Sequence, residues 1–176
     1  MNITDVPKDC IRTNSGLYIN IFDPKPEMIC IEDIAHGLAR QPRFAGHLNR
    51  HYSVAQHSIH CYERALPENK MVALLHDASE AYMLDMPTPI KSRLPEYKEL
   101  EHHLMSVIAK KFGFVYPYNH PEIKEIDTLM VNLEWEMLVE KNDMSFKCLT
   151  AIQAKKEFLR IYYELCKCEP PTEDYL

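Results

Sequence analysis

An all-α domain is the fold this sequence predicts, and three observations carry that expectation. Apolar residues recur at helical spacing from Ile31 to Cys166. Prolines fall at the boundaries of those stretches, where they end or open a helix. The β-leaning run, Leu17-Tyr18-Ile19-Asn20-Ile21-Phe22, is short and lies near the N-terminus.

In chain order, residues 1–30 read as an irregular or hairpin extension of the same domain, with Gly16 as its turn residue. Ile34, Ala35 and Leu38 then share a face and define a first helix from Ile31. Pro42 interrupts, leaving residues 41–51 as a loop. Ser53 is suited to cap a helix carrying Val54, Ala55, His57, Ser58 and Cys61. Pro67 and Glu68 open the next helix, expected to run through Val72, Leu75, His76, Ser79 and Tyr82. Pro87 and Pro89 take residues 85–91 out of helical geometry. A long helix follows from about residue 96 to 112, closed by Gly113. Another begins near Pro121 and carries Ile123, Ile126, Asp127, Met130, Leu133, Trp135 and Leu138. The last covers roughly residues 150–166, with Phe158, Leu159, Tyr162 and Leu165 inward. The domain body is thus residues 31–166, and residues 167–176 read as a fraying tail.

Composition narrows the function. The chain of 176 residues is long enough for one domain with a real core. Four glycines exclude P-loop and Rossmann phosphate cradles. A formal charge of −6 without a basic stripe argues against nucleic acid as a partner. With no apolar run of about 18 residues and no charged-then-apolar leader, neither a membrane span nor secretion is expected. The six cysteines are scattered and form no C-x-x-C pair, which suits reduced thiols in a cytoplasmic protein.

The chemistry gathers around Val72-Ala73-Leu74-Leu75-His76-Asp77-Ala78-Ser79-Glu80. An apolar stretch goes to the core, where ionisable groups are costly unless paired or metal-bound. His76 and Asp77 can supply two ligands to a divalent cation. His57, mid-helix among few charges, is a third candidate, and Asp127, between Ile126 and Met130, a fourth. Mixed His and Asp ligands suit zinc, cobalt, manganese, iron or nickel. Glu80 follows His76 by one helical turn, from where it can move a proton on the water or the leaving group. Each of these residues also has a plainer reading: a core histidine is often only hydrogen-bonded, and Asp127 can be a helix-surface carboxylate. Glu134, one or two turns beyond Asp127, can stand behind the metal or be an ordinary helix charge. His102-His103 reads as solvent-facing, and Trp135 as core or subunit contact.

The order His57, His76-Asp77, Asp127 resembles the HD-domain metal-dependent phosphohydrolases. His76-Asp77-Ala78-Ser79-Glu80 followed by Asp85-Met86-Pro87-Thr88-Pro89-Ile90-Lys91 is similar to the YfbR-type branch of 5′-deoxynucleotidases. Arg43-Phe44-Ala45-Gly46-His47 and Tyr52-Ser53-Val54-Ala55-Gln56-His57-Ser58 resemble the short phage and bacterial HD hydrolases, including the DatZ-type dATP triphosphohydrolases.

The resemblance spans roughly residues 31–134 and implies an HD-domain bundle of about six helices. It implies that His57, His76, Asp77 and Asp127 bind one divalent transition metal (zinc, cobalt, manganese, iron or nickel), with Mg²⁺ accompanying substrate phosphates. It makes Glu80 the catalytic carboxylate, Arg43 a phosphate contact and Asp85 the partner of the deoxyribose 3′-hydroxyl. Lys91 is a second cationic contact. Phe44 falls where the nucleotidases have a tryptophan beside the nucleoside. The implied reaction is hydrolysis of a 2′-deoxynucleotide, leaning to release of triphosphate from a dNTP of the dATP type. The alternatives are release of phosphate from a dNMP and a non-catalytic nucleotide-binding module. A homo-oligomer in the cytoplasm of a bacterial or phage-infected cell is the implied setting.

Overall fold

A computed structural model describes residues 6–118 and 120–169. The chain opens with an antiparallel hairpin of β1 (Cys10–Arg12) and β2 (Tyr18–Asn20), in which Ile11 pairs with Ile19. Gly16 takes φ +92° in its turn, a left-handed conformation that glycine tolerates best. Buried Asp33 holds the hairpin to the bundle, accepting from the Ser15 amide at 2.7 Å and its hydroxyl at 2.6 Å.

Everything after the hairpin is helical or loop among the described residues. The helices are α1 (Ile31–Arg40), α2 (Val54–Arg64), α3 (Lys70–Leu75), α4 (Glu80–Met83), α5 (Thr88–Lys91), α6 (Pro95–Phe112), α7 (Glu122–Glu134) and α8 (Ala151–Cys166). A π-helical turn, Trp135–Glu140, extends α7. Two of the helices, α4 and α5, are single turns, so the expected bundle of about six longer helices is present. None of the helices is long and apolar enough to cross a membrane among the described residues.

Local chemistry sets most of the boundaries. The Ser53 side chain accepts from the Gln56 amide and starts α2. Gly113, at φ +76°, closes α6. Thr150 and Gln153 form a reciprocal capping box at the start of α8. A cap of that kind contributes about 1 kcal/mol. Burial of Phe158 or Leu159 contributes about 1.5–3 kcal/mol each. Packing therefore outweighs capping in holding α8 in place. Ile34, Leu38, Val54, Ile59, Leu74, Leu75, Phe158 and Leu159 form the main core. A smaller apolar cluster of Cys61, Ala73, Ile123, Ile126 and Met130 joins α2, α3 and α7.

The structure corrects two expectations. The single helix expected through Tyr82 breaks after Leu75 and resumes at Glu80. The His76 carbonyl, which a continuous helix would bond to the Glu80 amide, is instead bonded by the Tyr118 hydroxyl at 2.9 Å. Glu80 turns back to the Asp77 carbonyl at 2.9 Å, a tighter turn. Residues 85–91 are not wholly outside helical geometry either, because Thr88–Lys91 forms one turn with Pro89 in its first positions. A missing N–H costs nothing there. Of the expected tail, residues 170–176 lie outside the described residues.

Two close approaches shape the region around the break. A Cβ on Gly37 would stand 2.7 Å from the Ala81 carbonyl oxygen, so glycine lets α1 lie directly against α4. Leu84 takes φ +77° and ψ 148°, a conformation that L-residues rarely adopt. Gln41 clasps this turn from both sides: its amide NH₂ donates to the Glu80 carbonyl, and its Oε1 accepts from the Asp85 amide at 2.8 Å. The Tyr97 hydroxyl donates to the Leu84 carbonyl at 2.9 Å.

Candidate metal centre

Three elements bring the four expected ligands together. His57 comes from the buried middle of α2, His76 and Asp77 from the break after α3, and Asp127 from α7. His57 Nε2 lies 3.3 Å from Asp127 Oδ1 and 3.7 Å from Asp77 Oδ2. His76 Nε2 lies 3.2 Å from Asp77 Oδ2 and 4.0 Å from Asp127 Oδ1. The two imidazole rings are 5.2 Å apart, centre to centre. The break thus turns His76 and Asp77 towards one point.

Both imidazoles are oriented from behind. His57 Nδ1 is 2.6 Å from Glu134 Oε1, and an ionised carboxylate only accepts, so Nδ1 carries the proton. His76 Nδ1 likewise donates to the Ala73 carbonyl at 2.8 Å. Each ring therefore presents Nε2 to the centre, as metal-binding histidines do when a carboxylate or carbonyl fixes the far nitrogen. His76 Nε2 is buried and, beyond its ion-pair approach to Asp77, makes no hydrogen bond. Cys61, one helical turn after His57, places its sulfur 3.6 Å from His57 Nε2. The donor atoms of His57, Cys61 and His76 all lie within 4.8 Å of one another, and this group could hold a metal ion.

The electrostatics agree with that geometry. Burial and the Arg43 charge press the His57 pKa down, but its bonds to Asp127, Cys61 and Glu134 hold it well above the usual imidazole value. Burial also opposes the charged form of His76, yet Asp77 brings it up to about 9. Burial would raise Asp77, Asp127 and Glu134, and the neighbouring histidines hold all three below the usual carboxylate range. Without a metal ion the carboxylates favour protons on the two rings; a divalent cation competes for the same nitrogens. Two imidazoles, two carboxylates and a thiol suit a transition ion better than Mg²⁺ or Ca²⁺, which take oxygen ligands.

The remaining predicted residues line the same region. Glu80 is buried, its Oε2 lacks a partner, and burial together with Asp77 and Asp85 raises its pKa well above the usual value. Arg43 is held between Glu134 Oε2 at 3.3 Å and Asp85 Oδ2 at 3.6 Å, and its Nε is buried without a partner. Burial also raises Asp85, against the pull of Arg43. Lys91 is engaged by Glu101, which keeps its pKa up despite burial. Phe44 packs its ring on Trp135 at 6.0 Å, and Trp135 is half-exposed rather than core.

Sequence reasoning left Glu134 open between support behind the metal and a helix charge, and gave Cys61 and Tyr52 no part in the site. Glu134 is fully buried and also accepts from the Tyr52 hydroxyl at 2.7 Å, so it supports His57 instead of decorating α7. Its signal was the seven-residue spacing from Asp127, two turns on one face. Cys61 had a comparable signal, four residues after His57. Tyr52 had none. A separate groove of about 630 Å³, lined by Gln56, His60, Lys147, Gln153, Lys156 and Arg160 among others, lies between α2 and α8 and includes none of the four expected ligands.

No family model matches the chain. It is 37% identical over 148 residues to the Uncharacterized protein YfdR of Escherichia coli (strain K12), covering 84% of this chain and 83% of that protein. It is 38% identical over 140 residues to the Uncharacterized protein RCAP_rcc00048 of Rhodobacter capsulatus, covering 72% of this chain and 71% of that protein. With that identity sustained over most of both sequences, the chain belongs to the same protein family as YfdR.

Proposed function

We propose that this protein is an HD-domain phosphohydrolase that uses one divalent transition metal to hydrolyse 2′-deoxynucleotides. The reaction we favour is release of triphosphate from a dNTP of the dATP type. The observation that carries the reading is the convergence of His57, His76, Asp77 and Asp127 beside a buried, unpartnered Glu80 carboxylate oxygen.

His57, His76, Asp77 and Asp127 would hold the ion. A divalent ion bound there lowers the pKa of a water molecule and polarises a phosphoryl oxygen. Glu80, with its raised pKa, takes the proton from the attacking water and returns it to the leaving group. Arg43 receives phosphate oxygens through its unpartnered Nε, and Glu134 and Asp85 fix the plane of its guanidinium. Lys91 adds charge once substrate phosphate competes with Glu101, and Mg²⁺ accompanies a triphosphate. Asp85 accepts from the 3′-hydroxyl of the sugar, and the Phe44–Trp135 pair borders the base. All six cysteines are free, which suits work in a reducing cytoplasm. We include self-association of the chain in this reading, as in related short HD hydrolases.

Product analysis tests the reading. The protein is incubated with Co²⁺, Mn²⁺, Mg²⁺ or Zn²⁺ and with each of the four dNTPs and dNMPs. Triphosphate plus nucleoside is the expected outcome; phosphate from dNMPs alone makes the protein a 5′-nucleotidase. Nucleotide binding without turnover under every metal makes it a binding module and overturns the proposal.

A further inference from the structure

We propose that Cys61 is itself a metal ligand, its sulfur joining His57 and His76 and selecting zinc, cobalt(II) or iron(II) over manganese and magnesium. The inference rests on the reading that this centre holds a transition metal, and it names which metals.

Position is the first argument. Cys61 follows His57 by four residues on α2, so both side chains leave the same face one turn apart. The cysteine is 2% exposed and belongs to the small cluster with Ala73, Ile126 and Met130. Ala73 stands three residues before His76, and Ile126 immediately precedes Asp127. The cluster is therefore drawn from the segments that carry the ligands, and Cys61 is its one member with a donor atom in the side chain besides the Met130 thioether.

Distance is the second. With metal–sulfur and metal–nitrogen bonds of about 2.3 and 2.1 Å, one ion can bridge a sulfur and a nitrogen up to about 4.4 Å apart. Cys61 Sγ and His57 Nε2 are 3.6 Å apart. His76 supplies an independent pointer to a ligand: its Nε2 is buried without a geometrically sound hydrogen bond, only the Asp77 carboxylate standing 3.2 Å away, and His76 offers a donor atom within 4.8 Å of both other donors. A thiolate is a soft ligand that magnesium and manganese accept poorly. The thiol proton leaves to solvent as the ion binds. The two imidazoles are thus shared between a carboxylate pair and a thiol, and the thiol sets the preference.

The test is spectroscopic and needs no turnover. Metal-free protein is titrated with Co²⁺ while visible d–d bands report bound ion and near-ultraviolet sulfur-to-cobalt charge transfer reports a thiolate ligand. Charge transfer that saturates with the d–d bands, survives Cys166→Ser with Cys168→Ser, and vanishes in Cys61→Ser supports the proposal. Cys61→Ser should also lower Zn²⁺ affinity by at least the roughly tenfold to hundredfold that loss of a mere supporting partner costs, with Mn²⁺ affinity little changed. Should Cys61→Ser fail to fold, the unmodified protein still decides the question. Its d–d bands without charge transfer overturn sulfur ligation and leave the metal centre standing. No bound cobalt at all overturns the metal-centre reading and this inference with it.

Discussion

Glu134 and His57, 77 residues apart in the chain, meet at 2.6 Å inside the protein. The same carboxylate oxygen accepts from Tyr52, and the other oxygen faces Arg43. One acidic side chain thereby orients an expected metal ligand and an expected phosphate contact together.

Glu134→Gln keeps the size of the side chain but removes its charge. The amide oxygen still accepts from His57 Nδ1 but carries no charge, so the ring is a weaker ligand and affinity for Zn²⁺ or Co²⁺ should fall by on the order of 10- to 100-fold. Equilibrium metal competition, with circular dichroism as the check on folding, measures this. Unchanged affinity would reduce Glu134 to a packing residue.

Glu80→Gln separates proton transfer from metal binding. Turnover of the preferred deoxynucleotide should drop by on the order of 10²- to 10⁴-fold, while the cobalt content of the purified protein stays the same. A variant that turns over at the parent rate would remove Glu80 from the mechanism.

The metal-free protein should lose stability as pH rises. His57 and His76 have folded pKa values raised above the unfolded one. The stability they contribute is full below about pH 6.5. It is lost as pH climbs through about 9, the folded value of His76. Asp77, Asp127 and Glu134 are lowered, so their contribution is present above about pH 4 and is lost as pH falls further. Melting temperatures of chelator-treated protein from pH 3 to 10 trace both limbs, and His76→Gln should flatten the alkaline one.

Gly37→Ala should be costly although alanine favours helices. The added carbon meets the Ala81 carbonyl oxygen, and overpacking of this kind costs about 1–3 kcal/mol. Because α4 begins at Glu80, turnover should fall along with the urea midpoint. A midpoint at or above that of the parent would mean that α1 and α4 separate freely.

Periodicity and punctuation made most of the helices legible. Ser53, Gly113 and the Thr150–Gln153 box act through neighbours a few residues away, so their effect can be read locally. The hairpin was legible for the same reason. The break at residues 76–79 was not, because every residue from Val72 to Glu80 tolerates a helix. It depends on a hydroxyl from Tyr118, 42 residues away. The candidate site divides in the same manner. His57, His76, Asp77 and Asp127 carry their chemistry in residue type and order, and the structure brings them together. Glu134 carried a signal in its spacing from Asp127, but the Tyr52 hydroxyl that bonds it finds that partner only in the folded chain.

The left-handed backbone at Leu84 has a dynamic consequence. Such a conformation costs on the order of 1–3 kcal/mol, and here the bonds from Gln41 and Tyr97 hold it in place. Stored strain lowers the free energy needed to open the turn, so amide hydrogens around Asp85 should exchange with deuterium well before those of α2. The two sides of the candidate site then differ in tempo: α2 keeps His57 still, while the turn that carries Asp85 opens and recloses many times within one lifetime of the folded bundle.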